Sequence, residues 1–510
     1  MNDRENRKHG DWLRLQKFML IIAASVVFFI LAAAQINTYS THLNTEESII
    51  FFLLVGYVLY GAHWYRMKYK GRHCKDILSN QKLILQILII ISASIVLRIY
   101  LISNLSVTQI SDYMTYYTTA QEIFTSHSIN PNSVAYFSAI SATAPFISGL
   151  LSIPFHLFGI SVKVVLYFNA FLYSTSAAGL FLISRKFISN GLAFFASLLF
   201  SVWPNHVFSS LYILSEPLYL FFLIWGITIL IYATEQRNII YKTALYALSA
   251  VLLCMSQNIR PVTVIYLIAM TLLLLTKNKA IIKKALPMIT VFLTSYCAVS
   301  VCINAYTESY LSIVSKPSFG WTLFEGTNSY TWGQWSPETS EILTNVINNY
   351  PLEEVENELL NRAIQRLKEY DFNDIVELIS RKVERMWARD NGYISDLKYL
   401  FAHTPEMVES GGLPHGMEQL GLLAQPVFIL LAFGVMWTML LTIKRAVKYS
   451  SENGDCPFVL ILSLCGGMML HCLATSIQRY NYIWIHMMIL IFFYGIEIWS
   501  EEKEEQNVLQ

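Results

Sequence analysis

Asp112 is the carboxylate in this sequence whose position best suits acid–base chemistry. It lies in QISDYMTYYTTAQEIF, residues 109–124, where Tyr113 follows it and Glu122 is the only other charged residue. A carboxylate can take the proton from a hydroxyl group while that oxygen attacks a carbon atom. Asp112 is therefore the candidate general base. The alternative is that Asp112 only caps the helix that follows, as Asp often does.

Two arginines stand at the ends of apolar runs, where a charge calls for an explanation. Arg260 lies in SQNIRP and precedes Pro261, and Arg479 lies in SIQRYNY and precedes Tyr480. A guanidinium group stays charged and offers a planar pair of donors that matches phosphate oxygens. Both arginines are candidates for binding a phosphate group. The simpler alternative is that each one snorkels to lipid headgroups.

A polar segment between two apolar runs extends this candidate site. The segment FSVWPNHVFSSLYILSEPLYLFF, residues 200–222, contains Asn205, His206 and Glu216. Glu216 precedes a proline at the start of a run, where a carboxylate also suits the positive end of a helix. No cofactor is identified. A divalent cation held by these three residues is a minor hypothesis, because their spacing matches no familiar metal motif and leaves the metal ligands unknown.

The residues that the sequence nominates for binding a substrate share a position at the ends of apolar runs or beside Asp112. They are Arg260, Arg479, Glu216, Glu122, His206, Tyr113 and Tyr480.

Composition places the chain in a membrane. Of its 510 residues, 55% are hydrophobic and 14% are charged, and the mean hydropathy is +0.45. Soluble domains carry about 25% charged residues. A formal net charge of +1 offers no basic surface for nucleic acid. The sequence therefore predicts an integral membrane protein with no nucleic-acid partner.

Hydrophobic runs predict about twelve transmembrane helices, because a spanning helix needs about 20 mostly apolar residues. The predicted spans are 18–36, 48–65, 83–103, 162–183, 191–208, 217–233, 242–257, 261–276, 285–303, 421–442, 457–476 and 483–499. The apolar run 140–160, which contains Pro145, Gly149 and Pro154, is left out because counting it would reverse the predicted side of every later loop. It is interpreted as an interfacial or partly re-entrant segment, with a true span as the alternative.

Lysine and arginine set the predicted orientation, since loops on the cytoplasmic side are enriched in both. Basic residues cluster at the N-terminus and in alternate loops, at 66–82, 185–186, 237–242, 277–284 and 444–448. This pattern predicts a multi-pass protein of the cell membrane with both termini in the cytoplasm. The candidate site then faces the extracytoplasmic side.

The predicted fold is an all-α polytopic membrane protein with a small, mainly helical extracytoplasmic domain. The divisions are 1–82 for an N-terminal pair of transmembrane helices and a cytoplasmic loop, 83–303 for a catalytic transmembrane domain with its first outer loop at 104–161, 304–420 for the extracytoplasmic domain, and 421–510 for the C-terminal transmembrane helices. Within the outer domain, NDIVELISRKVERMWARD predicts an amphipathic basic helix. Such a helix packs across the top of the bundle or rests on anionic headgroups.

The order of these features resembles the GT-C type of integral membrane glycosyltransferases. The resemblance is strongest to the bacterial relatives of dolichyl-phosphate-mannose protein mannosyltransferases and of lipid A aminoarabinose transferases. It covers the chain from about residue 85 to the end. Its carriers are RIYLISN and SDYMTYY at 98–117, PNHVFSSLYILSEPL, NIRP, FEGTNSYTWGQW and QRYNY.

The resemblance implies an enzyme that moves a sugar from a polyprenyl-phosphate donor to a hydroxyl group of a glycan, protein or glycolipid acceptor. It implies that Asp112 acts as the base or binds the acceptor, and that Arg260 and Arg479 bind the phosphate. Many relatives carry two adjacent acidic residues in the first outer loop, whereas Tyr113 follows Asp112 here. The acidic partner is Glu122, Glu216 or absent. The alternative functions are a lipid-linked glycan polymerase or ligase, and a lipid or glycolipid transporter, for which intramembrane charges would line a pathway.

Overall fold

The computed structural model describes residues 2–41, 80–140, 143–276, 279–311, 319–403, 415–448 and 455–508, with a few positions between 49 and 61. Within these residues the regular structure is entirely helical, which agrees with the predicted all-α class.

The helices that form or border the membrane bundle are taken in chain order. They are α1 (Asn2–Thr41), α2 (Asn80–Asn104), α3 (Ser111–Ser126), α4 (Pro131–Ile140), α5 (Ala144–Ser152), α6 (Phe155–Phe158), α7 (Val162–Ser184), α8 (Asn190–Ser201), α9 (Pro204–Phe208), α10 (Glu216–Glu235), α11 (Ile239–Ile259), α12 (Thr263–Leu275) and α13 (Lys279–Glu308). Five helices form the domain at one end of the bundle: α14 (Phe319–Gly326), α15 (Pro337–Asn349), α16 (Leu352–Glu369), α17 (Phe372–Trp387) and α18 (Gly392–His403). The chain then returns through α19 (His415–Lys448), α20 (Asp455–Leu473) and α21 (Ile485–Val508). Short 3₁₀ segments lie at Ser209–Leu211 and Gln478–Trp484.

Nine helices among the described residues are long and apolar enough to cross a membrane, or ten if a bent pair counts as one span. Eleven of the twelve predicted spans fall in this part of the chain, so the predicted number is too high here by one or two. The predicted span 191–208 is the bent pair, in which Asn190–Ser201 and Pro204–Leu211 meet at 47°. The predicted span 261–276 is α12, which has 13 residues and reaches only about 20 Å. Most of the predicted span 48–65 lies outside the described residues.

The apolar run 140–160 contains two short helices, α5 and α6. With 9 residues, α5 is about 14 Å long, too short to cross the hydrocarbon core. It packs against α3, the helix that carries Asp112. Its contacts agree with a segment that stays at one end of the bundle.

Two ion pairs lie at the two ends of α10. At one end Arg260, after α11, pairs with Glu216, the first residue of α10, at 2.6 Å. At the opposite end Lys186 pairs with Glu235, the last residue of α10, also at 2.6 Å. The first is called the site end below, and the second the opposite end.

The bend between α8 and α9 is held from within the bundle by Arg98. Pro204 lacks a backbone N–H and cannot continue the helix, which leaves carbonyl groups without helical partners. Arg98, 1% exposed, donates through Nη1 to the Ser201 carbonyl at 2.8 Å and through Nη2 to the His206 carbonyl at 3.3 Å. Arg98 therefore stabilises the break between α8 and α9 by donating hydrogen bonds to these free carbonyl groups.

Asp390 holds the same bend from the side of the end domain. Its carboxylate accepts hydrogen bonds from the Trp203 indole and from Asn205 Nδ2, the latter at 2.6 Å. Asn205 Oδ1 in turn accepts from the Tyr393 backbone N–H at 3.1 Å. Burial raises the pKa of Asp390 to about 6, and the Trp203 and Asn205 hydrogen bonds oppose that rise. These contacts fasten the segment before α18 to the bundle.

The amphipathic helix predicted in the outer domain is α17, and it packs on the bundle. Its apolar face buries Val383, Met386 and Trp387. Gln35 of α1 donates to the Trp387 carbonyl at 2.9 Å, and Gln425 of α19 donates to the Ala388 carbonyl at 2.9 Å. Of the two predicted roles, the contacts support packing across the bundle.

Candidate functional site

Asp112 lies in the first turn of α3 and does not act as its cap. The position before the helix is Ile110, which makes no side-chain capping hydrogen bond. Ser111 has a φ of 51°, a left-handed conformation that costs a non-glycine residue about 1 kcal/mol or more. This turn sets the direction in which the helix begins. The capping alternative for Asp112 is therefore wrong.

Arg479 binds Asp112 and Tyr113 together. Its Nη2 lies 2.9 Å from Asp112 Oδ2, and its Nη1 donates to the Tyr113 hydroxyl at 2.8 Å. The Asp112 side chain is 45% exposed and that of Arg479 is 21% exposed. Burial raises the pKa of Tyr113 to about 12, partly opposed by Arg479. Tyr113 is thus a neutral partner that orients the guanidinium group.

Arg260 makes the second ion pair, with Glu216. Glu216 is 3% exposed, and its Oε1 lies 2.6 Å from Arg260 Nη2. Tyr393 of the end domain also donates to this oxygen at 3.4 Å. Glu216 stands at the positive end of α10, which favours its charge. Neither arginine behaves as a snorkelling residue, because each is held by a carboxylate.

Tyr480 connects the two pairs. The Arg260 guanidinium carbon lies 5.2 Å from the centre of its ring, and that of Arg479 lies 5.9 Å away. These distances suit a cation–π interaction with each arginine. The site is thus one cluster of two arginines and two carboxylates around an aromatic ring.

A buried glutamine ties the two halves of the cluster together. Gln109, three residues before Asp112, donates through Nε2 to the Leu211 carbonyl at 2.9 Å and accepts through Oε1 from the Ile213 backbone N–H at 2.9 Å. The segment 211–213, which these two hydrogen bonds hold, lies just before Glu216 in the sequence. The Gln109 side chain therefore connects the backbone just before Asp112 to the backbone just before Glu216.

The end domain adds residues that the sequence did not nominate. Tyr393 contacts Glu216, and the Asp396 carboxylate interacts with the Tyr113 hydroxyl and with Arg479. On α3, Tyr116 hydrogen-bonds Ser215, and burial raises the pKa of its hydroxyl with a smaller contribution from Asp112. The only sequence signal for the pair on α18 is the short run DNGYISD, which reads as an ordinary turn before a polar helix.

A second pair of buried ionisable groups lies behind the cluster. Burial raises the pKa of Glu325 to about 7 and lowers that of Lys382 to about 7. The Lys382 ammonium donates to the Gly326 carbonyl at 2.8 Å. Ser476, three residues before Arg479, donates its backbone N–H to the Gly333 carbonyl at 3.0 Å. The end domain is thus joined directly to the chain that carries Arg479.

Two nominated residues lie apart from the cluster. Glu122 is ten residues further along α3, about 15 Å along the axis, and accepts from the Asn130 backbone N–H at 3.1 Å. His206 is fully buried and hydrogen-bonded through Nδ1 to the Tyr173 hydroxyl at 2.7 Å. Its ring lies 3.7 Å from that of Tyr482, so it supports the 3₁₀ segment that carries Arg479. Of the two acidic residues that the sequence left open, Glu216 joins the cluster through Arg260 and Glu122 does not, while Asp396 and Glu325 also interact with Arg479.

The hypothetical cation ligands point to separate partners. Asn205 binds Asp390, His206 binds Tyr173 and Glu216 binds Arg260. Over the described ranges, no group of three or more His, Cys, Asp and Glu residues is arranged to hold a metal ion. The structure therefore offers no geometry in favour of that hypothesis.

Comparisons with known proteins give one kind of match. No protein-family model and no curated protein matches the sequence. Among solved structures, the chain is similar to the oligosaccharyltransferase of Archaeoglobus fulgidus in its apo form, with 13% identity and a TM-score of 0.46, over 85% of this chain and 52% of that one. It is also similar to the archaeal oligosaccharyltransferase from Archaeoglobus fulgidus in complex with an inhibitory peptide and a dolichol-phosphate, with 13% identity and a TM-score of 0.40, over 84% and 51%. The chain spans about half the length of these chains. At such scores the similarity alone does not establish an activity.

Proposed function

We propose that this protein is a membrane glycosyltransferase that moves a sugar from a polyprenyl-phosphate donor to an acceptor hydroxyl group. The observation that carries the proposal is the convergence of Asp112, Glu216, Arg260 and Arg479 on the ring of Tyr480 at one end of the bundle. These residues come from four separate stretches of sequence. Charged groups beside the hydrocarbon are costly, and their concentration at one place indicates a site rather than chance.

The chemistry of the cluster suits a lipid-linked phosphate. Two guanidinium groups can bind the oxygens of a phosphate, and the ends of apolar helices suit a lipid tail in the bilayer. Asp112, 45% exposed, can reach an acceptor that approaches from outside the membrane. The sequence resemblance to GT-C glycosyltransferases points the same way. It also favours a monosaccharide donor over a whole glycan.

The transfer would be a single displacement. Asp112 takes the proton of the acceptor hydroxyl while that oxygen forms a bond to the anomeric carbon. The bond between this carbon and the phosphate oxygen breaks, and its electron pair stays on the leaving polyprenyl phosphate. Arg479 and Arg260 stabilise the charge that develops there. One displacement inverts the anomeric configuration.

We assign the site end to the extracytoplasmic side. Basic residues cluster in the loops of the opposite end, where Lys186 pairs with Glu235. In this orientation the donor is used outside the cell, where nucleotide sugars are absent. A lipid-linked donor fits that location.

A transporter is the second candidate, because transporters use broken helices. The break between α8 and α9 is such a feature, but Arg98, Trp203, Asn205 and Asp390 fill and seal it. All four side chains are buried. The break therefore braces the site and does not line a pathway.

A defined donor separates the candidates. The purified protein in lipid nanodiscs is given a polyprenyl phosphate that carries one radiolabelled sugar, together with an envelope fraction that supplies proteins, glycans and glycolipids. A glycosyltransferase moves the label to an acceptor and releases polyprenyl phosphate. A ligase does so only when the donor carries a whole glycan on a diphosphate. A transporter moves the intact labelled lipid across a liposome membrane, and that result without transfer would reject the proposal.

A further inference from the structure

The two arginine–carboxylate pairs of the site differ in how easily each can open. Glu216 is 3% exposed and its partner Arg260 is 23% exposed. Asp112 is 45% exposed and its partner Arg479 is 21% exposed. Removing the partner of a buried charge strongly destabilises a protein, whereas an exposed ion pair contributes little. Water can solvate Asp112 once it leaves Arg479, whereas Glu216 would keep only two hydroxyl donors at 3.4 Å, from Tyr393 and Ser215.

Arg479 also has donor capacity that Asp112 does not use. Asp112 takes Nη2 only, and Tyr113 takes Nη1. Arg479 Nε is buried and has no hydrogen-bond partner among the described residues, and the same is true of Arg260 Nε, so the exposure of Asp112 and not the free Nε distinguishes the two arginines. Nε–H and Nη2–H lie along one edge of the guanidinium plane, the edge that binds two oxygens of one group side by side. A buried donor without a partner is unfavourable, and a ligand with two oxygens at this edge would supply the missing hydrogen bond.

We propose that the donor's phosphate displaces Asp112 from Arg479, so that donor binding itself frees the base. This inference rests on the proposed function. Without a donor, Asp112 is neutralised by Arg479. With a donor, two phosphate oxygens occupy Nη2 and Nε, and the displaced carboxylate faces the acceptor.

Because the phosphate must displace Asp112 from Arg479 first, donor binding precedes proton transfer. The freed Asp112 accepts the acceptor's proton, the acceptor oxygen bonds to the anomeric carbon, and the leaving phosphate keeps the electron pair on Arg479. Arg260 stays paired with Glu216 throughout, and this pair keeps its place beside the ring of Tyr480. When polyprenyl phosphate departs, Asp112 releases the proton to water and returns as a carboxylate to Arg479. The base is thus available only while a donor occupies the site.

Carboxylate labelling tests the exchange directly. The purified full chain in nanodiscs is treated with a water-soluble carbodiimide and an amine, with and without polyprenyl monophosphate, and labelled carboxylates are quantified by mass spectrometry. The exchange predicts that polyprenyl monophosphate increases labelling of Asp112 by about 2- to 5-fold, the factor that corresponds to opening an exposed ion pair. Labelling of Glu216 stays low in both states, and labelling of Glu235 at the opposite end is unchanged. Reduced labelling of Asp112 would mean that the phosphate covers an intact pair, and would overturn the proposal.

Binding affinity gives a second readout. Asp112→Asn removes the competitor for Arg479 at constant shape, so affinity for polyprenyl monophosphate should rise by about 2- to 5-fold. Affinity for the neutral polyprenol should not change, and Glu235→Gln should leave both affinities unchanged. Equal or weaker phosphate binding in Asp112→Asn would overturn the exchange while leaving the proposed function standing. A wild-type protein that does not prefer polyprenyl phosphate over polyprenol would instead reject both.

Discussion

The Arg260–Glu216 and Arg479–Asp112 pairs have similar geometry and different surroundings. Their N···O distances are 2.6 and 2.9 Å, but the first carboxylate is 3% exposed and the second is 45% exposed. The sequence suggested equal roles for the two arginines. The difference in burial separates them instead. The buried Arg260–Glu216 pair is expected to stay closed, and the more exposed Arg479–Asp112 pair is expected to open when a phosphate binds.

The largest effect on stability should come from the buried Arg260–Glu216 pair. Arg260→Gln leaves the Glu216 carboxylate, 3% exposed, without its counter-charge and should lower the free energy of unfolding by about 3 kcal/mol, the low end for buried pairs because hydroxyl groups also contact Glu216. Arg479→Gln leaves the Asp112 carboxylate, 45% exposed, where water can solvate it, and should lower the free energy of unfolding by less than about 1 kcal/mol. Denaturant unfolding of both variants in the same detergent measures the contrast. Equal losses would remove the distinction between the pairs.

A third carboxylate sharpens the comparison, because neutral donors hold it instead of an arginine. The folded-state pKa of Asp390, about 6, lies above its ordinary value of 3.8. The folded protein therefore binds this proton more tightly than the unfolded chain does. Its contribution to stability is full below about pH 4 and is lost as pH rises through 6, by roughly 2–3 kcal/mol.

Asp390→Asn should remove that part of the pH dependence. The measurement is the unfolding midpoint of wild type and variant between pH 4 and pH 8. Glu325 adds a decline in the same direction, since its pKa is raised to about 7. For that reason the difference between the two proteins is the informative quantity. A difference that does not vary with pH would contradict the assignment.

A smaller effect is expected at the link between the pairs. Gln109→Leu leaves the Leu211 carbonyl and the Ile213 N–H without their partner and should cost about 2 kcal/mol. Gln109→Leu should also reduce transfer, because the segments that carry Asp112 and Glu216 are then no longer held together by the Gln109 side chain. Thr108→Ala, next to Gln109 in the sequence, is the control. Unchanged transfer in Gln109→Leu would show that the cluster does not depend on this bracket.

The smallest effect should appear at the opposite end. Glu235→Gln breaks the pair with Lys186, in which the carboxylate is 56% exposed. The loss of stability should be below about 0.5 kcal/mol, and transfer should not change. A large loss of transfer would place function at both ends of the bundle and contradict a single site.

The sequence predicted the members of the cluster better than their pairing. Apolar runs end at Arg260 and Arg479, so both arginines stood out as charges that needed partners. Nothing local specified that Arg479 would pair with a residue 367 positions away. Asp396 and Tyr393 escaped notice because an acidic residue and a tyrosine on a polar helix look like an ordinary solvated surface. Only the docking of α18 brings them to the site.

The fold was predictable where a run of sequence specifies one helix. It was less so where neighbours decide the outcome. The run at 191–208 contains enough apolar residues for a span, and the bend depends on Arg98 and Asp390, which are distant in sequence. The run at 261–276 was counted as a span on composition, yet its helix is only 13 residues long. The predicted orientation of the protein in the membrane rests on the distribution of lysine and arginine.

The most direct test of the account is single-turnover transfer by Asp112→Asn at saturating polyprenyl-phosphate sugar. Loss of a general base should slow the chemical step by about 100-fold or more, while the affinity for polyprenyl phosphate is kept or increased. Glu235→Gln should transfer at the wild-type rate in the same assay. A rate for Asp112→Asn within about 3-fold of wild type would contradict the role of Asp112 as the base and, with it, the account of the site.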